Sequence, residues 1–362
     1  MTPGTPPPWA GPALAELLDR VAVTRAEVGD RFPLYADPGT GHWVTTGRGA
    51  WTGGFWAGLL WLRSRHTGDP ADRAAASACT ARLAPWVAAD TAARGLILWY
   101  GTALAGGDHG ARELRTRAAR AALDAFDGEL GLVPWGSAFG GPRLLARVDG
   151  VPGMAGLLTT AGREGTEAAA AHLNRHLDLC GDGGDCDDDG GDGGRVFVPA
   201  RAFGAARGWL ACEDPPPGWS RGRAWLLLAV ADALHRPGVA LRTPPGRLAR
   251  AARWLAAGPA DLVPPADTAR SDGPLDTSAA AVTAVALLKL ARVPGTGAAA
   301  HAERAAAILE RLTGEHLAGG RLLDGCYDAA RGTAVRHELV WGDFFLAQGL
   351  AALTGLADVL EA

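Results

Sequence analysis

Lysine is almost missing from this chain of 362 residues: Lys289 is the sole example, so nearly all of the 35 basic residues are arginine. The arginines are scattered rather than run together, and 39 acidic residues leave a net charge of −4, which gives no footprint for nucleic-acid binding. Isoleucine occurs only at Ile97 and Ile308, and aromatic residues make up 7%. Such a shortage of sheet-forming side chains argues against an all-β protein or a large doubly wound sheet. No apolar run reaches the length of a membrane span. The opening Met1 to Trp9, MTPGTPPPW, lacks the basic-then-apolar layout of a secretory leader. Five cysteines, Cys79, Cys180, Cys186, Cys212 and Cys326, are few, odd in number and irregularly spaced, which points to a reduced, cytoplasmic protein. A dinucleotide-binding glycine fingerprint, a phosphate loop, HExxH, GxSxG and zinc-ligand spacing are all absent.

What is abundant is alanine, at 75 positions, and leucine, the strongest helix formers. Helical periodicity, broken mostly by Gly, Pro and Asp, predicts twelve helices at roughly 10–28, 53–66, 70–88, 92–105, 109–126, 149–161, 164–178, 222–235, 245–257, 277–292, 297–314 and 342–360. Odd members, such as 109–126, carry Arg and Glu on one face, as solvent-facing helices do. Even members, such as Ala224 to Ala233 and Ala279 to Leu290, are apolar nearly all round and must be buried on every side. Six outer helices around six inner ones describe an all-α (α/α)6 barrel of six helical hairpins. An open solenoid is the alternative, but no fixed-period repeat supports it. Residues 1–29 read as a Pro-rich start with the first outer helix, and residues 30–362 as a single barrel domain. Within it, 180–194 (CGDGGDCDDDGGDGG) reads as a mobile Gly/Asp loop. Its Asp185, Asp187, Asp189 and Gly190 imitate the start of a calcium loop, but Val196 stands where the closing acid belongs.

Large aromatics and polar groups gather where inner helices begin: Trp51, Trp56 and Trp61 in WTGGFWAGLLW, Asp149, then Trp219, Arg221, Arg223 and Trp225 in WSRGRAW. Asp276-Thr277-Ser278 and Trp341-Gly342-Asp343 open the last two. In a closed barrel these ends converge on one mouth, where helix N-termini suit an anionic small molecule. Each residue also has a structural reading. Asp149, Asp276 and Ser278 are good N-caps, the tryptophans good core fillers. Arg221 and Arg223 are either buried ion-pair partners or anion clamps. His337 and Glu338 read as a local hydrogen-bonding pair.

In this order, WTGGFWAGLLWL, WSRGRAW, DTSAAAVTAVALLKL and VWGDFFLAQGL, with RFPLY at 31–35, resemble the unsaturated glucuronyl hydrolases, glycoside hydrolase family 88, over about residues 30–355. The resemblance implies an (α/α)6 barrel without metal or organic cofactor. It also implies hydration of the enol ether in a 4,5-unsaturated uronic acid, with an Asp as general acid/base and release of the neighbouring sugar. By position Asp149, in ARVDGVPGMAGLL, takes that role, and its Val148/Val151 setting without a charged sequence neighbour suits a proton donor. Trp51, Trp56, Trp135, Trp219 and Trp225 would wall the sugar, and Arg221 with His337 would face its carboxylate. Arg223, Ser278 and Trp341 complete the expected binding set.

The chain departs from the family at several points. Gly95-Leu-Ile-Leu-Trp-Tyr100 replaces the usual His-Asp pair, a Gln is replaced near Ala211, a binding His is lost in the Gly/Asp loop, and Arg223 replaces a Gln. Asp276, Asp343 and Glu338 are the acids considered as substitutes for the missing carboxylate. Two alternatives therefore stand beside the hydrolase: a biosynthetic enzyme of specialised metabolism that uses Asp149 on another alkene, and a non-catalytic sugar- or anion-binding protein. The sequence names no oligomeric state.

Overall fold

The computed structural model describes residues 6–181, 196–295 and 297–362. Its helices are α1 (Ala10–Val28), α2 (Gly53–Thr67), α3 (Pro70–Ala81), α4 (Tyr100–Ala103), α5 (His109–Asp124), α6 (Met154–Thr159) and α7 (Gly162–His176). They continue with α8 (Ser220–Leu234), α9 (Pro237–Ala240), α10 (Arg247–Ala256), α11 (Thr277–Leu290), α12 (Ala298–Arg311) and α13 (Val340–Thr354). The inner helices touch in a closed ring: α2, α4 with the π turn Gly95–Trp99 that leads into it, α6, α8, α11, α13 and back to α2. Around them α1 lies on α13 and α2, α3 on α2, α5 on α4 and α6, α7 on α6, α10 on α8, and α12 on α11. The molecule is an (α/α)6 barrel.

Local chemistry accounts for the elements. Asp69 caps α3 through Ala71 N with Pro70 in its first turn, Asp108 caps α5 through Ala111 N, and Asp276 caps α11 through Ser278 N. On α5 the buried positions Ala111, Leu114, Ala118 and Ala122 repeat at three- and four-residue steps. In α8, α11 and α13 nearly every residue is buried. All twelve predicted helices are present, but the third and last end early, and the fourth and sixth are shorter than expected. There the inner backbones come into direct contact. A Cβ on Gly54 would lie 2.2 Å from Leu96 O, and one on Gly95 would lie 2.3 Å from Pro152 O.

The short strands are what the composition hid. β1 (Phe32–Ala36) and β2 (Trp43–Thr46) precede α2, and β3 (Leu145–Arg147) precedes α6. β4 (Ala200–Gly204) and β5 (Gly208–Ala211) precede α8. β6 (Leu317–Ala318), β7 (Arg321–Leu322), β8 (Gly325–Asp328) and β9 (Thr333–Leu339) precede α13. They form a sheet in the order β2-β1-β9-β8, another in the order β3-β4-β5, and the pair β6-β7, all antiparallel. Every strand thus sits in an outer-to-inner connection and helps to wall the same mouth, and the pairing of β1 with β9 ties residue 36 to residue 338. The stretch 195–217, opaque as sequence, contains the β4–β5 hairpin. Most of the Gly/Asp segment 180–194, with its calcium-like spacing and Cys186, lies outside the described residues. No described helix is long and apolar enough to cross a membrane.

At the level of α8, α11 and α13 the single lysine is fully buried. Lys289 Nζ donates to Asp232 Oδ1 at 2.5 Å and to the Ala362 carbonyl, which also accepts from Gln348.

Candidate active site at the strand-lined mouth

Strand β3 runs straight into the 3-10 turn Val148–Gly150 that carries Asp149. The turn is pinned on two sides. Val148 N donates to Pro199 O at 3.0 Å, and His172 Nε2 lies 3.3 Å from Gly150 O. His172 Nδ1 accepts from Val133 N at 3.1 Å, so Nε2 carries the ring proton and donates. Burial holds His172 well below its ordinary pKa and His176, whose ring lies 4.4 Å from it at a tilt of 57°, down to about 4, so both imidazoles are neutral supports.

Asp149 has a charged neighbour after all. Arg147 Nε donates to Asp149 Oδ1 at 2.8 Å and Oδ2 at 3.1 Å. The expectation of an Asp149 free of charged sequence neighbours is therefore corrected: Arg147, the last residue of β3, reaches across the start of the 3-10 turn to the carboxylate that the turn carries. The Arg147 guanidinium lies 5.0 Å from the Trp135 ring centre and 5.6 Å from that of Trp219. Burial works against its charge, but Asp149, with Asp214 and Cys212 further off, outweighs this and raises Arg147 above its ordinary pKa.

From Trp219 a chain of ring contacts runs along the mouth. Arg221 stands 5.4 Å from the centres of both Trp219 and Trp341, and Trp341 lies 4.7 Å from Trp51. Trp51 Nε1 donates to Tyr327 Oη at 3.3 Å, and Tyr35 bridges Tyr327 to His337 at 6.0 and 5.6 Å between ring centres. His337 Nδ1 donates to Val335 O rather than to Glu338. The Trp341 indole N–H is buried without a hydrogen-bond partner among the described residues. Beside Trp219 a cavity of about 350 Å³ opens, lined by Phe197, Pro217, Arg223, Pro259 and Thr268.

Asp149, Trp135, Trp219, Trp51 and His337 thus belong to one continuous arc, with the fully buried Trp341 packed between Arg221 and Trp51, while other expected members go elsewhere. Trp56 and Trp225 are core residues, Trp225 stacked on Phe55 at 6.1 Å, and neither walls the mouth. Arg221 is a buried ion-pair partner. It pairs with Asp276, donates to Cys326 O at 2.5 Å and Tyr327 O at 2.8 Å, and is 4% exposed. Ser278 Oγ, also buried, donates to Asp276 Oδ1 at 2.6 Å. Arg223 turns outward to α10, donating to Leu255 O at 3.0 Å and to Trp254 O. Glu338 is held by Arg20 and by Arg321 at 2.9 Å. Asp343 accepts from Leu322 N in the same cluster, against α1. None of the three acids considered as substitutes stands next to Asp149. Sequence reasoning missed Arg147, His172, Tyr35 and Tyr327. The i, i+4 pair His172 and His176 on an amphipathic helix was the one available signal.

No protein-family model matches the chain. A curated relative, the unsaturated glucuronyl hydrolase of Bacillus sp. strain GL1, is 27% identical over 94% of this chain and 96% of its own length. Over nearly its whole length the chain is similar to unsaturated glucuronyl hydrolase. Solved structures agree on the fold. An unsaturated glucuronyl hydrolase specific for heparin superposes with a TM-score of 0.78 at 21% identity, covering 97% of this chain and 99% of that one. The Bacillus sp. GL1 enzyme gives 0.76 at 21% identity, over 95% and 96%. The Streptococcus agalactiae enzyme gives 0.77 at 17% identity, over 96% and 92%.

Proposed function

We propose that the barrel, residues 30–362, is a glycoside hydrolase domain of the unsaturated glucuronyl hydrolase kind, with Asp149 as general acid/base. The observation that carries this is the placement of Asp149 at the strand-lined mouth beside Trp135 and Trp219 in a chain similar throughout to those hydrolases. In the reaction Asp149 gives its proton to C4 of the 4,5-unsaturated ring. It then takes a proton from the water that adds at C5, so the carboxyl is regenerated. The hemiketal opens and the neighbouring sugar leaves. Trp135, Trp219 and Trp51 offer apolar faces to the sugar, and the cavity beside Trp219 has room for the leaving residue. The buried free thiols Cys79, Cys180 and Cys326 support a reducing, cytoplasmic setting.

A non-catalytic binding role is the second reading, favoured by the commitment of Asp276 to Arg221 and of Glu338 to Arg20 and Arg321. A single ultraviolet assay separates the two. Loss of enol-ether absorbance from an unsaturated uronyl disaccharide is expected with the native protein. Asp149→Asn should lose on the order of 10²–10⁴-fold in rate. Equal rates in both would remove Asp149 from the mechanism. No signal from either, with saturable binding retained, would favour the binding protein. Turnover of a different alkene only would favour the biosynthetic alternative.

A further inference from the structure

We propose that Arg147 is the anion-receiving residue of the mouth, holding Asp149 through Nε and presenting Nη1 and Nη2 to the carboxylate of a bound uronyl sugar. The identity of that sugar rests on the function proposed above. The anion site itself rests on geometry.

The arginines on the neighbouring inner elements are spent. Arg221 gives its donors to Asp276, Cys326 O and Tyr327 O, and Arg223 gives donors to Leu255 O and Trp254 O. Arg94 is buried on Val87 O and Thr91 O. Arg147 differs from all of them. Its side chain is 26% exposed, and among the described residues only its Nε has a hydrogen-bond partner. The rings of Trp135 and Trp219 flank it and limit its swing, so a planar fork with two available corners is held ready, the arrangement that matches a carboxylate in bidentate fashion.

Charge gives the second reason. Asp149 alternates between acid and base in the proposed reaction, and whenever it is ionised a uronyl carboxylate beside it meets a like charge that only a cation between the two offsets. Arg147 stands there. One guanidinium shared by the protein acid and the ligand acid offsets that repulsion and fixes the distance between the ligand's charged group and the proton donor.

The test is calorimetric binding of a saturated glucuronyl disaccharide and of its methyl ester, ligands that hydration cannot consume. The native protein should bind the acid more than about tenfold tighter than the ester. Arg147→Gln should erase that preference, and Arg147→Lys should keep part of it. Arg147→Met, which retains the apolar stem between the two rings, serves as the neutral variant if Gln fails to fold. An equal preference in the neutral variant, or no preference or no binding in the native protein, would overturn the assignment. Acid preference that depends on Arg147 without any turnover in the ultraviolet assay would end the hydrolase reading and leave the anion site standing.

Discussion

At Asp149 the backbone and the charges do different work. The backbone around it is fixed by neutral His172 and by the β3–β4 pairing, while its charge is met by Arg147. The buried acids elsewhere behave differently. Burial and the nearby charge of Glu338 hold Asp343 well above its ordinary 3.8, although Leu322 N donates to it. A carboxyl with a raised folded-state pKa binds its proton more tightly when folded. Its contribution to stability is therefore complete below 3.8 and lost as pH rises through the folded value. Asp343→Asn should flatten the decline in denaturation midpoint as pH rises above 3.8, because the amide oxygen still accepts from Leu322 N. An unchanged pH dependence would mean another group sets it. For Lys289 the expectation is loss: Lys289→Ala leaves Asp232 buried and unpaired and should cost about 3–5 kcal/mol, read from urea unfolding.

Along a single element, residue spacing decides which side chains can meet. On α8, Arg221 and Arg223 are two positions apart, about 200° around the helix, so one points into the barrel and the other toward α10. WSRGRAW read as a string places both arginines in one pocket, but the helix separates them. The same turn sends Trp56 to the core while Trp51, ahead of α2, stays at the mouth. Where β3 passes into the 3-10 turn, by contrast, Arg147 reaches Asp149 across two positions. Element contact also makes Gly54 a sharp test. A methyl group there would strike Leu96 O and Ile97 O, which are backbone atoms and cannot swing aside. Gly54→Ala should destabilise by about 1–3 kcal/mol or more despite the better helix propensity of alanine. A neutral or stabilising result in urea unfolding would show that the inner helices have room to separate.

For the whole molecule, closure of the inner ring and the β1–β9 pairing make the first and last inner helices neighbours. An open stack would let its ends unfold separately. The closed barrel should lose helix circular dichroism and buried-tryptophan fluorescence at the same urea concentration, with Trp61, Trp225 and Trp341 as reporters. Separate midpoints would mean that the ring opens in stages. Sequence alone determined the twelve helices, their alternation of amphipathic and wholly apolar members, and the cluster of aromatics at inner-helix starts. Those features follow from local periodicity and from the area each helix must bury. It did not determine which clustered residues share a pocket, because burial rewards a tryptophan equally in the core and at the mouth. Nor did it determine who pairs with whom. Arg221 with Asp276, Arg147 with Asp149 and Lys289 with Asp232 are choices made by charges that must find partners once helices and strands have packed. Only the tertiary structure brings those partners within reach.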